Sequence, residues 1–186
     1  MKKVVVKLQS ISPYSQSKYV DVEKYDREGA EDYEARTWRE RLHVDEQGQV
    51  FIPPMAFKNC LTDVAQYLSM QIKGKGKQTY TKHFQAGVLV MDPVPLGINK
   101  DDVAGESLFV PADGKRGGPR RVKKIFPMIP QWKGEVIFYV LDEIITESVF
   151  REHLDKAGKF IGIGRFRPRN NGFYGRFEIL GIKWDV

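Results

Sequence analysis

Polar and apolar residues alternate from Lys2 to Gln9, the two-residue period of a strand, and Ser12-Pro13-Tyr14 ends the run. The next stretch, Ser15 to Gln47, is polar, charged and rich in tyrosine. It predicts no more than a short helix near Glu31 to Arg41, followed by the turn Asp45-Glu46-Gln47-Gly48. Pro53-Pro54 then opens the clearest helix, because proline suits a first turn in which its missing N–H has no partner. Phe57, Leu61, Val64, Ala65 and Leu68 follow at helical spacing, with Gly74 and Gly76 as the stop.

Residues 73–134 read as irregular, apart from a short strand over Gly87 to Met91, because glycine and proline are dense in two loop-like segments. Glu135 to Leu141 is apolar on both alternating faces, the pattern of a central strand covered on two sides. A second helix follows, with Thr146 as N-cap, Val149, Phe150, Leu154 and Ala157 inward, and Gly158 just past its end. Phe173 to Trp184 returns as the last strand. This βαββαβ order is that of an α+β, ferredoxin-like fold. The chain then forms one domain, with insertions at about 15–48 and 73–132, the second of them irregular.

Composition narrows the class. A chain of 186 residues, 41% hydrophobic and 12% aromatic, fits a globular domain with a proper core. The longest apolar run is Val136 to Leu141, against about 20 residues needed to span a bilayer, so no membrane partner is expected. The N-terminal Met1-Lys2-Lys3-Val4-Val5-Val6 reads as a strand and not as a signal peptide. A single cysteine, Cys60, excludes an internal disulfide framework and fits a reducing cytoplasm.

Charge is unevenly spread. Asp21 to Glu46 holds ten of the 24 acids and five of the 30 bases, which leaves 25 bases against 14 acids elsewhere. That asymmetry implies a basic working surface for a polyanion. The acidic stretch either repels nucleic acid from one face, meets a basic face on another copy, or is a solvated insert.

The candidate chemistry lies near the C-terminus. Between Asp155 and Glu178 there are six cations and no acid. Gly162, Gly164, Gly172 and Gly175 would let a backbone approach a ligand and expose N–H groups to an anion. Arg165, Arg167, Arg169 and Arg176 supply forked donors for phosphate, and Phe166, Phe173 and Tyr174 are rings on which unpaired bases can stack. The loop follows a helix and precedes a strand, the reverse of a dinucleotide fingerprint, and no GxxxxGK[ST] phosphate loop occurs. The alternative is a solvated basic hairpin with core aromatics at its base.

This loop resembles the C-terminal glycine-rich signature of the RAMP superfamily, the repeat-associated proteins of CRISPR systems. Val50-Phe51-Ile52-Pro53-Pro54-Met55-Ala56-Phe57-Lys58-Asn59-Cys60-Leu61 resembles the strand-to-helix segment of CRISPR backbone subunits, where I-P-G-S-S-x-K-G-x-L-R opens the first helix. Ile52, Pro53 and Lys58 stand where that pattern expects them, whereas Pro54 and Asn59 replace its two glycines. Ile11-Ser12-Pro13 sits where the family ends its first strand. The resemblance implies an RRM-like core, single-stranded RNA binding, head-to-tail assembly along the strand, and a backbone contact from Lys58. Without the resemblance, Lys58 is a solvated helix residue. The chain is short for a backbone subunit, which points to a free-standing or phage-borne relative binding RNA or single-stranded DNA.

A second basic segment contains Lys115, Arg116, Arg120 and Arg121 and reads either as a flexible thumb over the strand or as a charged linker. Lys73, Lys75, Lys77 and Lys82 read as a soluble loop. His43, His83 and His153 share no ligand spacing, so neither a metal nor a cofactor is expected. His153 reads as structural, and Asp92, Asp101, Asp102 and Asp113 as turn formers. The expected function is therefore single-stranded nucleic-acid binding without catalysis, as a homo-oligomer, a filament or a subunit of a ribonucleoprotein. Three alternatives are a protein-interaction module such as a phage inhibitor mimicking a CRISPR subunit, a metal-independent endoribonuclease using His83, and a virion assembly protein.

Overall fold

The alternating N-terminal residues place Val4, Val6 and Leu8 in the core and Lys3 and Lys7 in solvent, and their strand lies at the centre of the main sheet. The structure is a computed structural model that describes residues 1–112 and 117–185. In chain order its elements are β1 (Lys2–Ser10), β2 (Tyr14–Ser15), α1 (Ala30–Thr37), β3 (Gln49–Ile52), α2 (Pro54–Leu68), α3 (Thr81–Gly87) and β4 (Val88–Leu89). There follow β5 (Val94–Asn99), β6 (Ala104–Pro111), β7 (Arg121–Ile129), β8 (Lys133–Val140), α4 (Glu147–Lys156) and β9 (Phe177–Trp184).

The main sheet has the order β4-β8-β1-β9, every neighbouring pair antiparallel. Reading β1-α2-β4-β8-α4-β9 along the chain gives the βαββαβ frame of a ferredoxin-like fold, as the sequence pattern led us to expect. The registers Val4↔Phe138 and Val6↔Val136 put four buried side chains on one face, where Phe57, Leu61, Phe150 and Leu154 of the two helices cover them. Ile137 and Tyr139, on the other face of β8, are only half-buried. The expectation of a strand covered on both sides is thus corrected, because α2 and α4 share one core face. No helix among the described residues is long and apolar enough to cross a membrane.

Two helix ends differ from the sequence reading. α2 stops at Ser69, whose left-handed conformation (φ 45°, ψ 36°) lets its N–H bond back to Ala65 O, so Gly74 and Gly76 lie beyond it in an exposed turn. α4 runs past Gly158 into a π turn, Ala157–Ile161. Gly158 is there because a Cβ would sit 2.1 Å from the Phe177 carbonyl oxygen.

The irregular middle region expected from the sequence is instead largely regular. β6 and β7 pair over eight positions, from Ala104↔Met128 to Pro111↔Arg121, and β2 joins them in the order β2-β7-β6. The alternation is weak because no residue of β6 is fully buried and, in β7, the adjacent Phe126 and Pro127 both are, so ladder hydrogen bonds outweigh pattern. α1 and the 3-10 turn Trp38–Arg41 pack on this second sheet through Glu34. Its buried carboxylate takes a bidentate pair from Arg41 (3.0 and 3.1 Å), an ion pair from Lys124 (3.2 Å) and the Ile125 N–H (2.7 Å).

Candidate nucleic-acid interface

The Gly/Arg loop leaves the π turn and folds back on itself before β9. Ile163 N–H donates to Gly175 O (3.0 Å), and Tyr174 N–H to Phe166 O (3.0 Å). Two further bonds tie it to the turn between β1 and β2 and to β2: Gly175 N–H to Pro13 O (2.7 Å) and Arg165 N–H to Ser15 O (2.9 Å). The glycines make this possible. At Gly175 (φ +73°) a Cβ would lie 1.8 Å from Ile163 O, and at Gly172 it would lie 1.7 Å from Phe166 O. At Gly162 and Gly164 the same space holds the Pro168 and Tyr14 side chains. The four glycines therefore admit the chain's own atoms, which corrects the expectation that they leave room for a ligand.

The arginines take three different roles. Arg165 lies with its guanidinium carbon 3.3 Å from the centre of the Phe126 ring and 4.4 Å from that of Phe166. Burial pulls its guanidinium down to about 10, opposed by the charge of Glu106, so it stays cationic at neutral pH. Its Nη1 is buried and has no hydrogen-bond partner among the described residues. Arg167 and Arg169 share one carboxylate, Asp63 of α2, at 3.4 and 3.3 Å. Arg176 donates to the carbonyls of Lys159 (3.1 Å) and Phe173 (3.0 Å).

Phe166 (φ +57°) and Phe173 are exposed. Tyr174 is not. It is buried, and its hydroxyl donates to Glu106 at 3.0 Å, so the expectation that bases stack on Tyr174 is corrected. Phe166 and Phe173 pack edge-on against its ring, at 6.0 and 4.4 Å between centroids.

Across from the loop stands the β6–β7 hairpin. Between them is a cavity of about 650 Å³ lined by Arg121, Phe126, Arg165, Phe166, Asn170 and Asn171. A second cavity of about 360 Å³ shares Ser17, Arg165, Phe166 and Asn170 and extends the groove to His43 and Pro53. No carboxylate among the described residues lines either one. Burial, with Lys18 nearby, holds His43 below its usual range, so the imidazole adds a neutral edge.

The remaining expected residues lie elsewhere. Lys58 points to the C-terminal end of α3, donating to Phe84 O and Gln85 O, both at 2.8 Å, and burial lowers its ammonium. Arg120 is exposed at the base of the hairpin tip, and Arg121 donates to Phe109 O (3.2 Å). Lys115 and Arg116, with Asp113, lie outside the described residues. His153 is core, stacked on Phe84 (4.2 Å between centroids). His83 has a partner that sequence did not reveal: Asp142 Oδ2 lies 2.6 Å from its Nδ1, across 59 residues. Sequence reasoning also missed Phe126 and Ser17. No local signal marks either, since the residues of β7 read as irregular and Ser17 as part of the polar stretch Ser15 to Gln47.

No family model matches this sequence, and no curated protein does. Among solved structures, the chain is similar in fold to a chain of the Type III-B Cmr-beta bound to cognate target RNA, with 13% identity and a TM-score of 0.56. The match covers 99% of this chain and 61% of that one, so this chain spans about three-fifths of its neighbour. Weaker similarities join it to Cmr6 from Pyrococcus furiosus (13% identity, 95% and 97% covered, TM-score 0.49) and to a CRISPR RNA-guided surveillance complex (8%, 97% and 68%, 0.39). The likeness to the Cmr-beta chain is one of fold.

Proposed function

We propose that this chain, as a single RAMP-like domain, binds single-stranded nucleic acid, RNA in preference to DNA, along the groove between its Gly/Arg loop and its β6–β7 hairpin. One observation carries the reading: Arg165 is a half-buried cation in the groove with an unpartnered buried donor and no carboxylate within ion-pair distance among the described residues. A phosphate in the groove supplies the countercharge. Arg121 adds a second cation across the groove, and Phe166 offers an exposed ring to a base. RNA is favoured because the fold neighbour comes from Cmr-beta bound to cognate target RNA. Work within a CRISPR-type ribonucleoprotein, and assembly of copies along one strand, belong to the same proposal.

Titration of labelled poly(U) over a range of salt tests this. Binding should be strong at low salt, and Arg121→Ala with Arg165→Ala should flatten the slope of log K against log salt by about 0.7 per lost phosphate contact. A wild-type protein that does not bind poly(U) at low salt overturns the proposal.

A second reading, metal-independent RNA cleavage, draws on the His83–Asp142 pair, since a carboxylate on Nδ1 orients an imidazole for proton transfer. The surface beside Asp142 is formed by Ala86, Gly87, Leu141 and Glu143 and shares no residue with the groove. Chelator-resistant cutting of RNA that His83→Ala abolishes without loss of binding would establish it.

A further inference from the structure

On the opposite flank of the Gly/Arg loop lies a separate cavity of about 270 Å³. Tyr67, on the last turn of α2, and Phe160, in the π turn after α4, form its apolar wall. Their ring centroids are 5.9 Å apart with 33° between planes, and the side chains are 60% and 45% exposed. Such exposure contributes little to the core. It leaves a paired aromatic face open to a flat ligand.

Lys159, Arg169 and Arg176 border the same cavity. The two carbonyls that hold Arg176 fix its direction without neutralising it. Arg169 must share Asp63 with Arg167, and Lys159 pairs with Asp155 at 2.9 Å. The Lys156 ammonium lies 5.9 Å from the Phe160 ring centre. Three cations therefore border the cavity and a fourth, Lys156, stands by the Phe160 ring, with no carboxylate among the described lining residues, the composition of a stacking platform with an electrostatic rim.

The turn Pro168–Asn170 separates this cavity from the groove. Pro168 and Arg169 line the cavity, while Asn170 lines the groove. A strand that leaves the groove over this turn meets the aromatic pair next.

We infer that this cavity takes an unstacked base of a single strand, with the base on the Tyr67–Phe160 face and the adjoining phosphate on Arg169 and Arg176. The inference rests on the nucleic-acid reading of the groove. The two rings already touch, so the base lies against their outer face and not between them. A purine has the larger face, so poly(A) should use the cavity more fully than poly(U).

The test is a salt-resolved titration of poly(A) with the double variant Tyr67→Ala, Phe160→Ala. Affinity should fall about tenfold or more. The slope of log K against log salt should not change, because stacking releases no counterions. The pair Tyr67→Phe, Phe160→Tyr keeps both rings and should bind as wild type does. If wild type binds poly(A) and the double alanine variant binds equally well, the inference is wrong while the groove reading stands. If the slope falls along with the affinity, a stacking role is also overturned. If wild type binds neither polymer, both readings fail together.

Discussion

Arg165 of the Gly/Arg loop stacks on Phe126 of β7, its guanidinium carbon 3.3 Å from the ring centre, across 39 positions of sequence. This contact holds the loop against the hairpin and sets one wall of the groove relative to the other. It also keeps the guanidinium partly out of water, where a charge–phosphate interaction is stronger. Phe126→Leu keeps an apolar side chain but removes the ring face. It should weaken poly(U) binding several-fold, the equivalent of about 1 kcal/mol for a cation–π contact, with the salt slope retained because Arg165 is still present. A titration at several salt concentrations reads both quantities.

Gly175 and Gly97 both have positive φ, at +73° and +67°, but only Gly175 is walled in by backbone. Gly175→Ala should cost more than about 2 kcal/mol, because strain adds to a clash that the loop can relieve only by opening. Gly97→Ala, with nothing within 4 Å of the new Cβ, should cost about 1 kcal/mol from conformation alone. Urea unfolding of the two variants separates these terms.

Glu34 carries the junction between the acidic segment and the second sheet. Burial pushes its carboxyl up, but the Ile125 N–H, Arg41 and Lys124 outweigh that and hold it below its usual range. A folded value below the unfolded one means that the stabilisation is fully present above about pH 4.3. It is lost as pH falls through the lower folded value. Glu34→Gln strands Arg41 and should destabilise by about 3 kcal/mol at neutral pH. The variant should also lose less stability than wild type on acidification. Thermal melting between neutral pH and pH 3, on the order of one unit per step, follows both effects.

Lys58 stands where the family pattern places a lysine, but its ammonium caps the carbonyls of Phe84 and Gln85. Lys58→Met should lower stability by about 1–2 kcal/mol, from two charge-assisted hydrogen bonds, and leave poly(U) affinity unaltered. A salt slope reduced by about 0.7 would give this residue to the strand after all.

What the sequence determined is the frame. The alternation from Lys2, the proline-led helix face from Phe57 to Leu68 and the apolar run Glu135 to Leu141 each mark an element that the fold contains, although the strand of the last ends at Val140 and is buried on one face only. The position of the basic loop was equally legible, since composition does not depend on folding. What the loop's residues do was decided only by tertiary contact. Tyr174 was turned inward with its hydroxyl on Glu106, Arg167 and Arg169 were drawn to Asp63, and the space beside the glycines was filled by neighbouring chain. The hairpin facing the loop was also hidden, because its ladder joins backbone groups whatever the side chains, and β6 and β7 do not bury alternate residues regularly enough to show a period. Phe126 and Asp142 show the same limit. Each acquires its meaning from a partner 39 or 59 residues away, and only the folded chain brings those partners within reach.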